Sequence, residues 1–269
     1  MKKFLLNLYI WPASALITVL GIVLVIPPAL LYSAISRKNT LHQVTRKGIR
    51  LYGKVLVQIM PFMAPVTVED RSGGFTTPVI FTANHNSSID PYIFGLLPYE
   101  MAFVTTWPFK IPFYNLMMHL ARYINATKGW DHVETEGKKL LNDHCSLILW
   151  PEGHRSRDGD LKRFRNGAFH LALSSGRPIV PVCIKGSFKF LPPGNRLLSP
   201  ARIKMVLLPP ILPCGNADDP EHVKRLKDQV KNSIAEEYYH PNPVPDPQLV
   251  SMKAHDSGSP ATRPAHVNG

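Results

Sequence analysis

From residue 4 to residue 34 the chain carries no charged side chain, and most of that run is Leu, Ile, Val, Ala or aromatic. Such a stretch needs a hydrophobic core or a bilayer to receive it. A spanning helix takes about 20 apolar residues and the core of a cleaved signal only about 7 to 15, so the run is too long for an ordinary secretory leader. It reads as a membrane anchor over residues 1–40. Pro27 and Pro28 are expected to interrupt it, because proline removes a backbone donor and clashes with the preceding turn. Two arrangements fit: one kinked span, or two short helices that dip in and return to the same face. Lys2 and Lys3 precede the run, and Arg37, Lys38, Arg46, Lys47, Arg50 and Lys54 follow it. Lys and Arg stay on the cytoplasmic side, which draws both ends to one face, favours the helical hairpin and places the rest of the chain on the cytoplasmic face of the membrane.

The remainder has room for one core. Of 269 residues, 45% are hydrophobic and 19% charged, a balance that excludes a disordered chain and fits a globular unit with an apolar attachment. The formal net charge of +12 favours anionic partners such as lipid head groups, phosphorylated carriers or nucleic acid, and charge alone does not choose among them. Cys145, Cys183 and Cys214 are odd in number and widely spaced, which gives neither a disulfide framework nor a zinc site and fits a reducing compartment. Cys145 and Cys183 stand in or beside apolar runs and read as buried packing residues rather than a catalytic thiol.

Between residues 41 and 239 the hydrophobic period alternates. A basic amphipathic helix is expected over 41–63, then strands near 66–68, 79–82, 101–105, 122–125, 146–150, 179–184 and 203–208. Helices are expected over 89–97, 112–120, 131–142, 166–175 and 219–238. That alternation predicts an α/β fold, a central mixed sheet flanked by helices. Residues 240–269, rich in Pro and small polar side chains, read as a disordered tail.

Two segments carry chemistry, and each follows an apolar strand. In Asn84-His85-Asn86-Ser87-Ser88-Ile89-Asp90, a continuous helix would set His85 and Asp90 apart around its axis, so the pair meets only if a turn intervenes. Asn86, Ser87, Ser88 and Pro91 supply turn and cap chemistry. A carboxylate on one imidazole nitrogen fixes the tautomer and frees the other nitrogen to take a proton from a hydroxyl. Asp90 before Pro91 also has the form of a plain helix cap. The second segment, Trp150-Pro151-Glu152-Gly153-His154-Arg155-Ser156, runs into Arg157, Lys162, Arg163 and Arg165 against Asp158 and Asp160, a basic loop suited to a phosphate. Glu152 is suited to bind a hydroxyl or hold an arginine. Phe164, Asn166, Gly167 and Ala168 then open a helix whose free N–H groups favour an anion. A serine hydrolase would need a Gly-x-Ser-x-Gly elbow, and none occurs. His85, His119 and His154 lack the spacing of a metal site, so no metal is expected.

The order and spacing of these segments, with Val180-Pro181-Val182 and the N-terminal apolar run, resemble the glycerolipid acyltransferase family, whose best-known members are the 1-acylglycerol-3-phosphate acyltransferases. The resemblance covers roughly residues 79–184. It implies an acyl-CoA or acyl-carrier-protein donor, a lysophospholipid acceptor and no cofactor. His85 would be the base and Asp90 its orienter; Asn84, Glu152, Gly153, Arg155 and Ser156 would serve the acceptor. A family arginine that binds the acceptor phosphate falls at Lys128 here, which replaces a bidentate fork with a point charge. Thr106 stands where a lysine is common, with Lys110 as its substitute, and His154 replaces a threonine. The first acceptor implied is 1-acyl-sn-glycerol 3-phosphate, giving phosphatidic acid; the departure at Lys128 motivates a second, another lysophospholipid or a lyso-aminolipid. A rival of a different class is a non-enzymatic, membrane-tethered basic protein that holds anionic lipid or nucleic acid by charge. It predicts steep salt dependence and leaves the His85 and Asp90 pairing without a purpose, so membrane lipids and no nucleic acid are the expected partners.

Overall fold

The computed structural model describes residues 2–21, 26–35, 40–58 and 64–240. Seven strands form one mixed sheet in the order β1-β7-β6-β2-β5-β3-β4. They are β1 (Val66–Asp70), β2 (Ile80–Ala83), β3 (Met101–Thr105), β4 (Ile124–Asn125), β5 (Ser146–Leu149), β6 (Ile179–Lys185) and β7 (Ile203–Leu207). Every pairing is parallel except β6 with β7, so β1 and β7 run against the other five. The centre of the sheet is buried on both faces: all four residues of β2 and of β5, and the first six of β6, are buried. These strands are correspondingly almost continuous runs of apolar side chains, whereas edge strand β1 is not buried anywhere along its length.

Two layers of helices cover the sheet. One face receives α5 (Pro112–Leu120), α6 (Trp130–Asn142), α7 (Gly167–Ser175) and α9 (Pro220–Tyr239). In α6 the buried residues Val133, Gly137, Leu140 and Leu141 follow the helical period, as do Val223, Leu226, Val230 and Ile234 in α9. Asp219 caps α9 by accepting from the Glu221 N–H, and Pro220 takes the first-turn position where no donor is needed. The other face receives α3 (Leu41–Gln58), α4 (Asp90–Ile93) and α8 (Ser187–Phe190). Helix α3 lies directly on the 3-10 turn Phe94–Leu96; a Cβ on Gly95 would stand 2.7 Å from the Arg50 carbonyl and the Lys54 nitrogen, so only glycine admits this crossing. Buried Arg46 anchors α3 through Glu100 and the Ala121 carbonyl.

The apolar N-terminus forms two helices, α1 (Lys2–Leu20) and α2 (Ile26–Ile35). The prolines do not divide them as expected. Pro27 and Pro28 sit in the first turn of α2, where a missing N–H breaks no helical bond; residues 22–25 lie outside the described residues. Helix α1 lies along the domain. The Asn7 amide exchanges hydrogen bonds with both backbone groups of Leu198, Trp11 donates to the Arg196 carbonyl at 3.2 Å, and the Thr18 and Tyr52 hydroxyls meet at 2.7 Å. Ile10 is buried on the same side, while Phe4, Leu8, Leu16 and Val19 face outward. The tail expected over 240–269 lies outside the described residues from 241 onward.

Candidate active site

The strands β2, β5 and β6 end side by side, and ligands of open α/β sheets collect at such carboxyl ends. Asn84 leaves β2 and fastens it to β6: its side-chain nitrogen donates to the Ile184 carbonyl at 2.8 Å, and its oxygen accepts from the Ile184 N–H at 2.7 Å. Fully buried, with both amide atoms bonded to β6, Asn84 holds the strand exit.

The turn after Asn84 brings the dyad together. His85 Nδ1 lies 2.9 Å from Asp90 Oδ2, and the same oxygen accepts the N–H groups of Asn86 and Ser87, each at 2.8 Å. Asp90 is the first residue of α4 and its carboxylate closes the turn before it; the N-cap position falls to Ile89 with no side-chain cap bond, so the plain-cap reading of Asp90 gives way to the orienting one. Because that oxygen acts as an acceptor toward two backbone donors, the ring nitrogen facing it is the N–H donor, and the lone pair resides on Nε2. Asp90 is fully buried, and its second oxygen has no partner among the described residues. The imidazole stacks on the Trp150 indole with ring centres 4.7 Å apart and keeps 17% of its side-chain surface accessible.

Glu152 joins the two loops. Its Oε1 accepts the His85 N–H at 2.9 Å and its Oε2 accepts the Lys162 N–H at 3.1 Å, so it staples the histidine loop to the basic loop. Burial pushes its carboxyl up, against the pull of those two N–H groups. Ser156 adds a second staple, its N–H donating to the His85 carbonyl at 2.8 Å while its hydroxyl turns inward to Asp158 and Gly159. Gly153 has φ +75°, and a Cβ there would stand 2.8 Å from Arg165 Nε. The glycine lets the Arg165 guanidinium lie across the motif loop.

A cavity of about 1910 Å³ runs from the inner side of α1 and α3 past His85 and Trp150 to this loop. It exceeds the roughly 300–1,000 Å³ of most small-ligand sites. His154, Arg155, Arg165 and Lys110 line it, and neither the Arg155 nor the Arg165 guanidinium makes a hydrogen bond or ion pair among the described residues. Lys128 is exposed and does not line the cavity, although its neighbours Ala126 and Gly129 do. Arg165 was legible only as one charge of a basic loop; its contact with Gly153 across twelve residues has no periodic signature. Burial pushes the Cys145 and Cys183 thiols up to about 12, which keeps both protonated and inert. Among the described residues no group of three or more His, Cys, Asp or Glu side chains is arranged for a metal.

The model of the acyltransferase family matches residues 65–185, a span that contains the dyad, the basic-loop motif and strands β1 to β6. Over those residues the chain carries an acyltransferase-family segment. Among curated proteins, a chloroplastic 1-acyl-sn-glycerol-3-phosphate acyltransferase of Brassica napus is 30% identical over 166 residues, covering 60% of this chain and 46% of that protein. A 1-acyl-sn-glycerol-3-phosphate acyltransferase of Limnanthes douglasii is 29% identical, covering 67% of this chain and 66% of its own. The chain thus spans about half to two thirds of the length of these relatives. The crystal structure of the 1-acyl-sn-glycerophosphate acyltransferase of Thermotoga maritima superposes with a TM-score of 0.70 at 24% identity, covering 88% of this chain and 98% of that one. The shared architecture extends beyond the matched segment to the fold as a whole, including the mixed sheet.

Proposed function

We propose that the protein transfers a fatty acyl group from an acyl-CoA or acyl-carrier-protein thioester to a hydroxyl of a lysophospholipid, in the first instance 1-acyl-sn-glycerol 3-phosphate, forming phosphatidic acid. The observation that supports this reading most directly is the orientation of His85: Nδ1 is held by Asp90, Nε2 is without a partner among the described residues, and the ring lines a large apolar cavity with arginines in its wall. A thioester is already activated, so the remaining needs are a base, a site for the anionic acceptor and a mount that reaches insoluble substrate. His85 Nε2 takes the proton of the acceptor hydroxyl as its oxygen attacks the thioester carbonyl. The tetrahedral adduct collapses, the C–S bond breaks, and the thiolate leaves with the proton returned from the imidazolium. Arg155 and Arg165 hold the acceptor phosphate.

The apolar N-terminus supplies the mount. Helix α1 is long and apolar enough to cross a bilayer, yet the bonds of Asn7, Trp11 and Thr18 keep one side of it on the domain while the other side is exposed and apolar. That geometry favours α1 and α2 lying in one leaflet as a re-entrant pair, with the catalytic unit on the cytoplasmic face. The second acceptor reading, another lysophospholipid or a lyso-aminolipid, draws on Lys128 standing off the cavity wall while Arg155 and Arg165 stand on it. The test is acyl transfer in purified membranes with both thioester donors and a panel of lyso-lipids. General-base assistance is worth about 10²- to 10⁴-fold, so His85→Ala loses at least about 100-fold in turnover and remains on the membrane. Wild-type turnover in that variant sinks the reading.

A further inference from the structure

The dyad stands inside a closed circuit of hydrogen bonds. From the His85 carbonyl the circuit passes to the Ser156 N–H at 2.8 Å, and from the Ser156 hydroxyl to the Gly159 N–H at 3.1 Å. The Gly159 carbonyl accepts from the Tyr238 hydroxyl at 2.5 Å, and that hydroxyl accepts from the Asn86 side-chain nitrogen at 3.1 Å. The Asn86 N–H returns to Asp90 Oδ2, which holds His85. Every residue of the circuit but one belongs to the two motif loops. Tyr238 comes from the last turn of α9, well beyond the segment shared with the acyltransferase family.

The tyrosine is matched to this place. Its single hydrogen goes to Gly159 and a lone pair receives Asn86, so one hydroxyl serves as donor and acceptor at once. The last turn that presents it is itself fixed: buried Glu237 pairs with Arg71 at 2.8 Å and with Lys185, and the Lys185 ammonium also donates to the Glu237 carbonyl at 3.0 Å. Beside it, the Tyr239 hydroxyl accepts the Leu161 N–H at 3.1 Å. Helix α9 therefore reaches over the sheet edge and grips both motif loops.

We propose that the Tyr238 hydroxyl is a positioning group for acyl transfer: by joining Asn86 to Gly159 it holds the dyad turn in register with the acceptor loop. This rests on the acyltransferase reading above. Tyr238 touches neither substrate nor the reacting nitrogen, so its loss loosens the geometry of reaction and leaves binding in place. A network hydrogen bond is worth roughly threefold to tenfold in an equilibrium or a rate. Tyr238→Phe, which keeps the ring and its edge-on packing with Tyr239, is expected to lower kcat by about that factor and to hold KM for both substrates within about twofold. Asn86→Ala breaks the same link from the other side and keeps the backbone N–H on Asp90, so it supplies the comparison if the tyrosine variant folds poorly. The two changes share one link, and the double variant is expected to be no slower than the slower single one. Either an unchanged kcat in both single variants, a fall confined to acceptor KM, or multiplying losses in the double variant overturns the proposal. A wild-type protein that acylates no lyso-lipid overturns the underlying reading instead, which separates the two failures.

Discussion

Asp90 and Glu237 are both removed from solvent, at 0% and 4% exposure, and the surroundings of each treat the charge differently. Glu237, under the sheet edge, is answered on one oxygen by Arg71 and on the other by Lys185. Asp90, at the strand ends, meets no arginine or lysine: one oxygen takes two backbone N–H groups and the His85 ring, and the other has no partner among the described residues. Buried charge that is fully paired locks two elements together. Buried charge left incompletely answered beside a proton carrier is the arrangement found where chemistry happens. One molecule thus uses the same functional group as a fastener and as an orienter.

Substitution separates the two uses. Asp90→Asn keeps a carbonyl oxygen for the two backbone donors but loses the carboxylate that fixes the tautomer of His85. Turnover is expected to fall by about 10²- to 10⁴-fold with little change in thermal midpoint. Glu237→Gln should do the reverse in kind: Arg71 and Lys185 lose their common anion, and stability drops by about 2 to 3 kcal/mol once the partial exposure of both cations is discounted. Calorimetry and initial rates on the same preparations decide the matter. A Glu237→Gln protein of wild-type stability that loses more turnover than Asp90→Asn would reverse the comparison.

The orienter was visible in the sequence because its partner is five residues away and the turn between them is written in Asn86, Ser87, Ser88 and Pro91. The fastener was not, since Glu237 meets Arg71 across 166 residues and nothing periodic marks the pair. The same division runs through the fold. All seven strands and the main helices lie where hydrophobic period places them, because burial of each element is a local property of its own side chains. The antiparallel turn of β7, the clamp of Asn84 on Ile184 and the reach of Tyr238 to Asn86 arise only when distant segments meet. The prolines of the apolar N-terminus take another role than expected for a local reason: proline stops a helix in its interior and starts one in its first turn, and Pro27 and Pro28 do the second.

Cations sharpen the same contrast at smaller scale. Arg155 lines the cavity with its guanidinium unpaired among the described residues, whereas the Lys162 ammonium is tied to Asp158 in an exposed pair that also raises its affinity for a proton. Arg155→Ala is therefore expected to raise the acceptor KM about tenfold, the effect of one lost charge-assisted bond. Lys162→Ala should stay within about twofold. Equal changes in the two variants would remove Arg155 from the acceptor site.

The smallest effect lies in the pH dependence of stability, and there the comparison acquires a sign. Glu152 is buried against two backbone N–H groups, and burial raises its carboxyl above the ordinary value of 4.5. What it contributes to folding is full below that value and is lost as pH rises through the raised one. Glu69, on edge strand β1, is pulled down to about 2, chiefly by its hydrogen bond to Arg71, so its contribution is full above 4.5 and lost as pH falls through about 2. Thermal midpoints between pH 3 and 8 should accordingly diverge in opposite directions. The deficit of Glu152→Gln, with a constant part from the N–H acceptor it loses, is greatest in acid and shrinks toward neutrality; that of Glu69→Gln, under about 1 kcal/mol for a partly exposed pair, is present at neutrality and fades in acid. Parallel curves for the two variants would mean that Glu152 contributes as a carboxylate, as Glu69 does, and that the pull of its two N–H donors outweighs its burial.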